Sequence, residues 1–344
     1  MALVWSPRLK AQVDRPPGLL QDLVDVSADF HEYRNTYFLA DKLTGFDPAT
    51  GAGAITWARH QLTPRIAFSN MENILRPFDG STFPEGEYAV NPALPFSIQF
   101  VSPRTVRIRL QTGPQVGADE PSPMLVGEPP RDGSWKLARI TGGYRYTSAA
   151  GSVTILENPW HLEFRDAQGR LLTRTNHAAD NATQLDPVLP FSFIRRTSDY
   201  SRSVAAVFSL APGEKIFGCG ESFTRLDKRG QKVVLWANDA NGVETGRMYK
   251  PIPFFMSNRG YGMFVHTSAP ATFDFGASYG NTNALLLGDD ALDLFVFLGE
   301  PKRFARENHP LYSKGRARGR ETGRNTALSR VEALKTHATT QSRR

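Results

Sequence analysis

The stretch FGCGESFTRLDKRG, residues 217–230, gathers residue types that could do chemistry. It holds the chain's single cysteine, Cys219, between two glycines, and Glu221 and Asp227 follow. A Gly-x-Gly start is typical of a dinucleotide-binding loop, but the third glycine is missing, and the next predicted element is a strand where a phosphate site needs a helix N-terminus. A nucleophilic cysteine needs a base or cation that lowers its pKa, and the basic residues here are close only in sequence. We therefore predict a strand that leads into a turn, with Cys219 as a small packed residue.

The stretch LWANDANG, residues 235–242, contains side chains that suit a sugar. Asn238 and Asp239 offer planar hydrogen-bonding groups for hydroxyls, and Trp236 offers an apolar face for a ring. The same residues could equally form an Asx turn at the tip of a hairpin. From these residue types alone, both interpretations stay open.

Metal and cofactor chemistry finds little support in the sequence. The seven histidines show no metal-ligand spacing and no HExxH sequence occurs. One cysteine is too few for a cysteine-built zinc site. His266 follows the apolar run MFV, and we interpret it as a structural histidine at the end of a strand. We expect no metal and no cofactor.

The basic charge of the chain is concentrated in its last part. The formal net charge is +7, from 41 Lys+Arg and 34 Asp+Glu, and residues 301–344 hold 12 of the basic but only 3 of the acidic residues. The preceding part is therefore nearly neutral. From residue 307 onward the tail has one aromatic residue, Tyr312, so aromatic rings are not interleaved with the basic residues for stacking on bases. We predict a disordered, solvated tail and no binding to nucleic acid.

The N-terminal sequence and the hydropathy predict a soluble, cytoplasmic protein. The start MALVWSPRLK contains no apolar run of signal-peptide length, because Arg8 and Lys10 interrupt it. No window holds 18 consecutive apolar residues, so we expect no membrane partner.

Short runs with alternating apolar residues dominate the chain and predict an all-β fold. In residues 105–113, Val106, Ile108 and Leu110 alternate with basic residues. Residues 151–172 predict a hairpin in which RDAQGR supplies the turn, and residues 144–155 predict a second hairpin with its turn near Gly151. Such runs recur with no convincing long amphipathic helix. This pattern favours a large β-sandwich rather than βαβ units.

Several of these motifs, in their order and spacing, resemble the N-terminal domain of glycoside hydrolase family 31, and most closely its α-xylosidase/α-glucosidase branch. The motifs are FGCGESFTRLDKRGQ, LWANDANG, MYKPIPFFMSNRGYGMFVHTS, TFDFG and LDLFVFLGEPK. The resemblance covers about residues 20–302 and is strongest over 217–302. It implies a galactose-mutarotase-like β-sandwich over residues 25–302, with an N-terminal extension (1–24) before it and the basic tail (303–344) after it.

The resemblance also implies where the chemistry would lie. In this family two aspartates of a following (β/α)₈ barrel carry out retaining hydrolysis of α-glycosides, and the sandwich lends one loop to the mouth of the active site. The positions that match that loop read Asn238-Asp239-Ala240 here, where related α-glucosidases have Arg-Asp-Thr. Asp239 carries over as the sugar-contacting residue, whereas Asn238 and Ala240 depart from the pattern. The family's catalytic pair has no counterpart among the motifs quoted above.

The end of the chain departs further from the family. A barrel of this kind needs about 250 residues, and residues 303–344 do not resemble the family's continuation. We expect a truncated or frame-shifted chain that is inactive alone, binds an α-linked oligosaccharide or xyloside weakly, and self-associates through an exposed barrel-docking surface. Two alternatives stay open: a free-standing carbohydrate-binding module that uses the 236–239 loop, and a mutarotase-like enzyme in which His266 and Glu221 converge.

Overall fold

The computed structural model describes residues 24–63, 74–77, 91–113, 124–125, 127–177, 189–237, 248 and 250–299, and the structural statements below refer to these. They form 19 strands and one short 3₁₀ helix (Val26–His31). The strands are β1 (Thr36–Asp47), β2 (Ala52–Thr63), β3 (Ile74–Pro77), β4 (Ala93–Ser102), β5 (Thr105–Gln111), β6 (Lys136–Ile140), β7 (Gly143–Ser148), β8 (Gly151–Glu157), β9 (Trp160–Asp166), β10 (Leu171–Arg174), β11 (Ser192–Arg195), β12 (Arg202–Ser209), β13 (Ile216–Glu221), β14 (Lys232–Leu235), β15 (Lys250–Ser257), β16 (Tyr261–Val265), β17 (Ala271–Phe275), β18 (Thr282–Leu287) and β19 (Ala291–Leu298). The all-β prediction is confirmed.

The strands form two antiparallel sheets. The larger has 14 strands in the order β13-β15-β16-β19-β5-β4-β2-β1-β11-β12-β18-β17-β14, with β3 paired to β2 beside this path. The smaller has five strands in the order β10-β9-β8-β7-β6. Both predicted turns lie in the smaller sheet: Ser148 is opposite Gly151 where β7 turns into β8, and RDAQGR turns β9 into β10, where Leu171 is opposite Arg165. The strands β8 and β9, whose apolar faces were predicted, pair with each other through a separate turn, with Ile155 opposite Leu162.

Alternation of side chains explains why these sequences form half-buried strands. In β9, Trp160, Leu162 and Phe164 are fully buried, while the residues between them are partly exposed. The buried rings cross between the sheets: the ring of Trp160 lies 5.5 Å from that of Phe96 in β4. One apolar core therefore joins the smaller sheet to the larger one.

The large sheet also curls so that its two ends face each other. The ring centroid of Phe255 in β15 lies 5.0 Å from that of Phe275 in β17, although the two strands are near opposite ends of the strand order. Cys219 of β13 belongs to the same core. The packing of this curled sheet and the smaller sheet around a shared interior defines a sandwich.

A buried polar cluster ties the two sheets at one seam. The guanidinium of Arg259 donates hydrogen bonds to the carbonyls of Leu171 and Leu172 in the smaller sheet. Next to it, the buried carboxylate of Glu214 accepts hydrogen bonds from Ser257 Oγ at 2.5 Å and Tyr261 Oη at 2.7 Å. Burial, with Glu214 beside it, raises the pKa of Tyr261 well above its ordinary value, so the phenol stays a donor. The cluster is satisfied within the seam, as a buried polar group requires.

Candidate functional site

The two glycines around Cys219 serve a close approach of two strands. Gly218, Cys219 and Gly220 have φ values of 134°, 70° and 91° in succession, at a register shift between β13 and β15. A Cβ on Gly220 would lie 2.0 Å from the carbonyl oxygen of Lys250, and one on Gly218 would lie 2.5 Å from that of Phe254. Only glycine fits at these two positions of the bulge. The Gly-x-Gly pattern therefore results from strand pairing, and β13 leads to a turn and another strand, as predicted.

Cys219 is a packed residue with an inert thiol. Its side chain is fully buried. Burial raises the pKa of the thiol to about 12, and the nearby Lys228 counteracts this only in part. Because the thiolate is the reactive form, this thiol is poorly suited to nucleophilic catalysis. The interpretation of Cys219 from the sequence is confirmed.

The residues after β13 form an ordered loop, residues 222–230, that is built around Lys228. The Nζ atom of Lys228 donates to Ser222 Oγ at 2.8 Å and to Thr224 Oγ1 at 2.7 Å. Its main-chain N–H donates to the carbonyl of Ile216 at 2.7 Å, so the loop folds back onto the start of β13. Lys228 is 3% exposed, and burial lowers the pKa of its ammonium. The buried side chain of Lys228 therefore fixes the conformation of the 222–230 loop through these hydrogen bonds.

The two carboxylates of the opening stretch have separate structural roles. Asp227 Oδ1 accepts from the main-chain N–H groups of Ile216 and Arg229, both at 3.1 Å, which stabilises the turn. Glu221, at the exposed end of β13, forms a surface ion pair with Lys250 at 3.3 Å. Each is engaged with its own partners, and neither contact suggests an acid/base pair.

The predicted sugar loop is described at its two ends. Trp236 follows β14 and is half-buried, and its main-chain N–H donates to the carbonyl of Val234. Ala237 forms a parallel bridge with Met248, which is buried. The two ends of the segment between Ala237 and Met248 therefore lie next to each other. Asn238 and Asp239 lie outside the described residues, so their assignment as sugar contacts stays a prediction.

His266 lies beside a carboxylate, but that carboxylate is Asp293. The Nδ1 atom of His266 is 2.8 Å from Asp293 Oδ2. Arg107 donates to both oxygens of the same carboxylate, from Nε to Oδ1 at 2.8 Å and from Nη2 to Oδ2 at 2.7 Å. Burial opposes ionisation, but hydrogen bonds from Arg107 and His266 outweigh it and lower the pKa of Asp293.

This cluster favours the structural interpretation of His266 over the mutarotase-like one. Mutarotase-like chemistry would need His266 and Glu221 to converge, yet His266 contacts Asp293 and Glu221 contacts Lys250. Sequence reasoning did not find Asp293, because it is 27 residues from His266 and 186 from Arg107. Antiparallel pairing of β19 with both β5 and β16 brings the three together.

Metal-ligand clusters and membrane-spanning helices are both absent from the described residues. Within these ranges, no group of three or more His, Cys, Asp or Glu side chains is placed to hold a metal ion. The described part of the chain also contains no helix that is long and apolar enough to cross a membrane.

The architecture defines a class of protein: a large antiparallel β-sandwich domain in which the ordered 222–230 loop follows a Gly-Cys-Gly bulge. Residues 95–274, just over half of the chain, match the glycosyl hydrolase 31 N-terminal galactose mutarotase-like domain. The chain belongs to this family.

The relatives that match this chain are much longer proteins. The chain is 36% identical over 91 residues to α-xylosidase XylQ of Lactiplantibacillus pentosus, an alignment that covers 26% of this chain and 12% of the relative. It is 29% identical over 171 residues to an α-xylosidase of Emericella nidulans, covering 47% of this chain and 22% of the relative. The matched part thus spans between about a tenth and a quarter of the length of these relatives.

A solved structure shares the fold. The cycloalternan-forming enzyme of Listeria monocytogenes, solved with a pentasaccharide substrate, superposes with a TM-score of 0.56 at 18% identity. The superposition covers 80% of this chain and 22% of that enzyme. At this identity the likeness concerns the fold alone.

Proposed function

We propose that this chain is the non-catalytic N-terminal sandwich of an α-glycoside hydrolase of the α-xylosidase/α-glucosidase type. In this role it acts on a sugar only together with a separate catalytic barrel, and it contributes the segment between Ala237 and Met248 to the mouth of the sugar site. Its natural ligand is an α-linked oligosaccharide or xyloside, which it holds weakly on its own. The family match over residues 95–274 carries the proposal.

Two features of the described residues support this role. The sequence places Asn238 and Asp239 directly after Ala237, and the bridge between Ala237 and Met248 anchors both ends of the segment that contains them. A loop with fixed ends presents polar groups to a ligand at a lower entropic cost than a free loop. The two carboxylates of the stretch 217–230, Glu221 and Asp227, already serve an ion pair and a turn. None of these contacts supplies the two opposed carboxyl groups that glycoside hydrolysis uses.

Hydrolysis assays test the proposal directly. The purified chain is incubated with p-nitrophenyl α-xyloside and p-nitrophenyl α-glucoside, and chromophore release is followed against buffer. We expect no release above the buffer rate. Turnover that is lost in Asp239→Asn and kept in the matched surface variant Asp290→Asn would overturn the non-catalytic role.

A second candidate is a free-standing carbohydrate-binding module. The half-buried indole of Trp236 at the base of the loop favours it, because aromatic faces pack against sugar rings. Calorimetric titration with xylose and with an α-linked glucose disaccharide distinguishes the two roles. Dissociation constants of about 1 mM or tighter, lost in both Trp236→Ala and Asp239→Ala, would favour the module. Tyr200→Ala, which removes an exposed aromatic ring elsewhere, is the control.

A further inference from the structure

The 222–230 loop carries three basic side chains whose described hydrogen bonds all go to neutral oxygen atoms. The guanidinium groups of Arg225 and Arg229 donate to main-chain carbonyls. The ammonium of Lys228 donates to two hydroxyls. The single acidic residue of the loop, Asp227, uses its carboxylate to accept from main-chain N–H groups. The loop therefore has a net positive charge that its own hydrogen bonds do not balance.

Lys228 and the two hydroxyls that it binds have more donors than they use. The Nζ atom lies 2.8 Å from Ser222 Oγ and 2.7 Å from Thr224 Oγ1, and the two hydroxyl oxygens are 3.2 Å apart. An ammonium has three N–H donors and each hydroxyl has one. Two of the N–H donors and one of the hydroxyl donors are used within this cluster. One N–H and one O–H are therefore left to bind an acceptor from outside it.

We propose that Ser222, Thr224 and Lys228 form a binding site for an oxyanion, that is, a carboxylate or a phosphate group. The anion accepts the remaining hydroxyl donor and balances the charge of the ammonium. This inference goes beyond the proposed function, since its ligand is an anion rather than a neutral sugar and its residues lie outside the segment between Ala237 and Met248.

Charge distinguishes an anion from water as the occupant. Water would accept the same hydrogen bonds, but only an anion also compensates a charge that has been taken out of solvent. Lys228 is 3% exposed, and a buried ammonium that faces only neutral groups loses hydration without gaining an opposite charge. Burial lowers the pKa of this ammonium, and a bound anion would oppose that change by stabilising the charged form. The guanidinium groups of Arg225 and Arg229 add to the positive potential of the loop.

The site is accessible and ordered. Thr224 is exposed and Ser222 is partly exposed, so an anion can reach their hydroxyls from solvent although the lysine itself is buried. The side-chain amide of Gln231 donates to the carbonyls of Arg225 and Asp227, which fixes the backbone of the loop further. The two hydroxyls are therefore arranged before binding, which lowers the entropic cost of binding a small ligand.

Calorimetric titration of the purified 344-residue chain tests the inference. Inorganic phosphate is the ligand in one arm and acetate in the other, in a Tris-chloride buffer at neutral pH and constant ionic strength. We expect saturable binding of at least one of them at a single site, with a dissociation constant of roughly 0.1–10 mM. Lys228→Met should weaken this binding at least about tenfold. The matched control Lys232→Met, at a lysine that already faces Asp25 at 3.7 Å, should change it less than about twofold.

A second variant separates loss of the site from loss of loop order, since Lys228→Met is also expected to loosen the loop. Thr224→Val keeps the buried lysine and the shape of an exposed side chain but removes one hydroxyl. It should weaken anion binding about tenfold, because a hydrogen bond to a charged ligand is lost. Circular dichroism and thermal unfolding confirm that each variant is folded, which is expected for Thr224→Val because surface substitutions have small effects on stability.

The two arms also identify the source of the anion. Tighter binding of acetate indicates a carboxylate, such as an acidic side chain of another protein, and tighter binding of phosphate indicates a free or ligand-borne phosphate group. Either result supports the site. A parent chain that binds neither anion saturably would overturn the inference. So would binding that both Lys228→Met and Thr224→Val retain, or that Lys232→Met loses to the same extent, because the anion would then lie elsewhere.

Discussion

The substitution Asp293→Asn removes the charge that balances a buried guanidinium on the sheet face opposite the core. The side chain of Arg107 is 5% exposed and that of Asp293 17%, and two hydrogen bonds of 2.7–2.8 Å join them. His266 makes a third contact with the same carboxylate. The change keeps the size of the side chain and one acceptor oxygen, so it tests charge and hydrogen bonding rather than packing.

The expected cost follows from this geometry. Breaking a buried pair by removing one partner costs about 3–5 kcal/mol, because a buried charge is left uncompensated. The asparagine side chain would still accept one hydrogen bond, and the site is not fully dry, so we expect about 2–3 kcal/mol. Urea unfolding followed by tryptophan fluorescence measures this difference as a lower midpoint with an unchanged slope.

Asp290→Asn is the matched control, since it makes the same chemical change at an exposed position three residues away. It should alter the free energy of unfolding by less than about 0.5 kcal/mol. An Asp293→Asn chain as stable as this control would refute the argument that the pair stabilises the fold. A second check is Arg107→Met combined with Asp293→Leu, which removes both charges and should recover much of the lost stability.

The lowered pKa of Asp293 adds a pH dependence with a defined sign. Its folded pKa lies below the ordinary value of 3.8. The unfolded chain therefore binds a proton more readily, so this contribution to stability is fully present above that value and is lost as pH falls through the folded pKa. The parent should lose stability faster than Asp293→Asn as the pH is lowered from about 5 to 3. Parallel curves for the two proteins would contradict the ionised state assigned to this carboxylate.

Three further predictions follow from the opening stretch. Cys219 should react with a disulfide reagent at pH 8 only as fast as the protein unfolds, because its pKa is raised to about 12; fast modification of the folded protein would contradict its burial. Gly220→Ala should destabilise the fold by more than about 3 kcal/mol, since a Cβ would meet the carbonyl oxygen of Lys250 at 2.0 Å, whereas Gly45→Ala, also at positive φ but with no atom within 4 Å, should cost about 1 kcal/mol. In Lys228→Met, amide hydrogen exchange should accelerate over residues 222–230 while the β13 amides stay protected; equal protection in both proteins would show that the lysine does not order the loop.

The strands could be predicted because their signal is local. Val153, Ile155, Leu162 and Phe164 alternate with polar residues, and the pairing of β8 with β9 places the four on one buried face. A period of two needs no knowledge of distant partners. The order of the 14 strands was not predictable in this way, because it places β19 beside β5, which is almost 200 residues away.

The contacts that organise the candidate site could not be predicted from the sequence either, because their partners are identified only by the folded structure. Nothing around Arg107 indicates that its partner is Asp293, and nothing in the sequence near Lys228 shows that its ammonium is buried beneath Ser222 and Thr224. Glu221 and His266 were considered as a pair because both residue types suit acid/base chemistry. In the structure each contacts a different residue on a neighbouring strand. Residue type identifies candidates, and pairing across strands decides which of them meet.

The Gly-Cys-Gly bulge determines where two loops join the sheet. At the bulge, β13 departs from regular pairing with β15 between Gly218 and Gly220, and it resumes pairing with Gly220 opposite Pro251 and Glu221 opposite Lys250. That resumed pairing sets Glu221 at the start of the 222–230 loop and Lys250 two residues after Met248, where the predicted sugar loop returns to the sheet. One local distortion thus positions the ends of both loops. A side chain at Gly220 would displace both loop ends together, so the folded fraction of Gly220→Ala should bind sugar more weakly even though the sugar loop itself has not been altered.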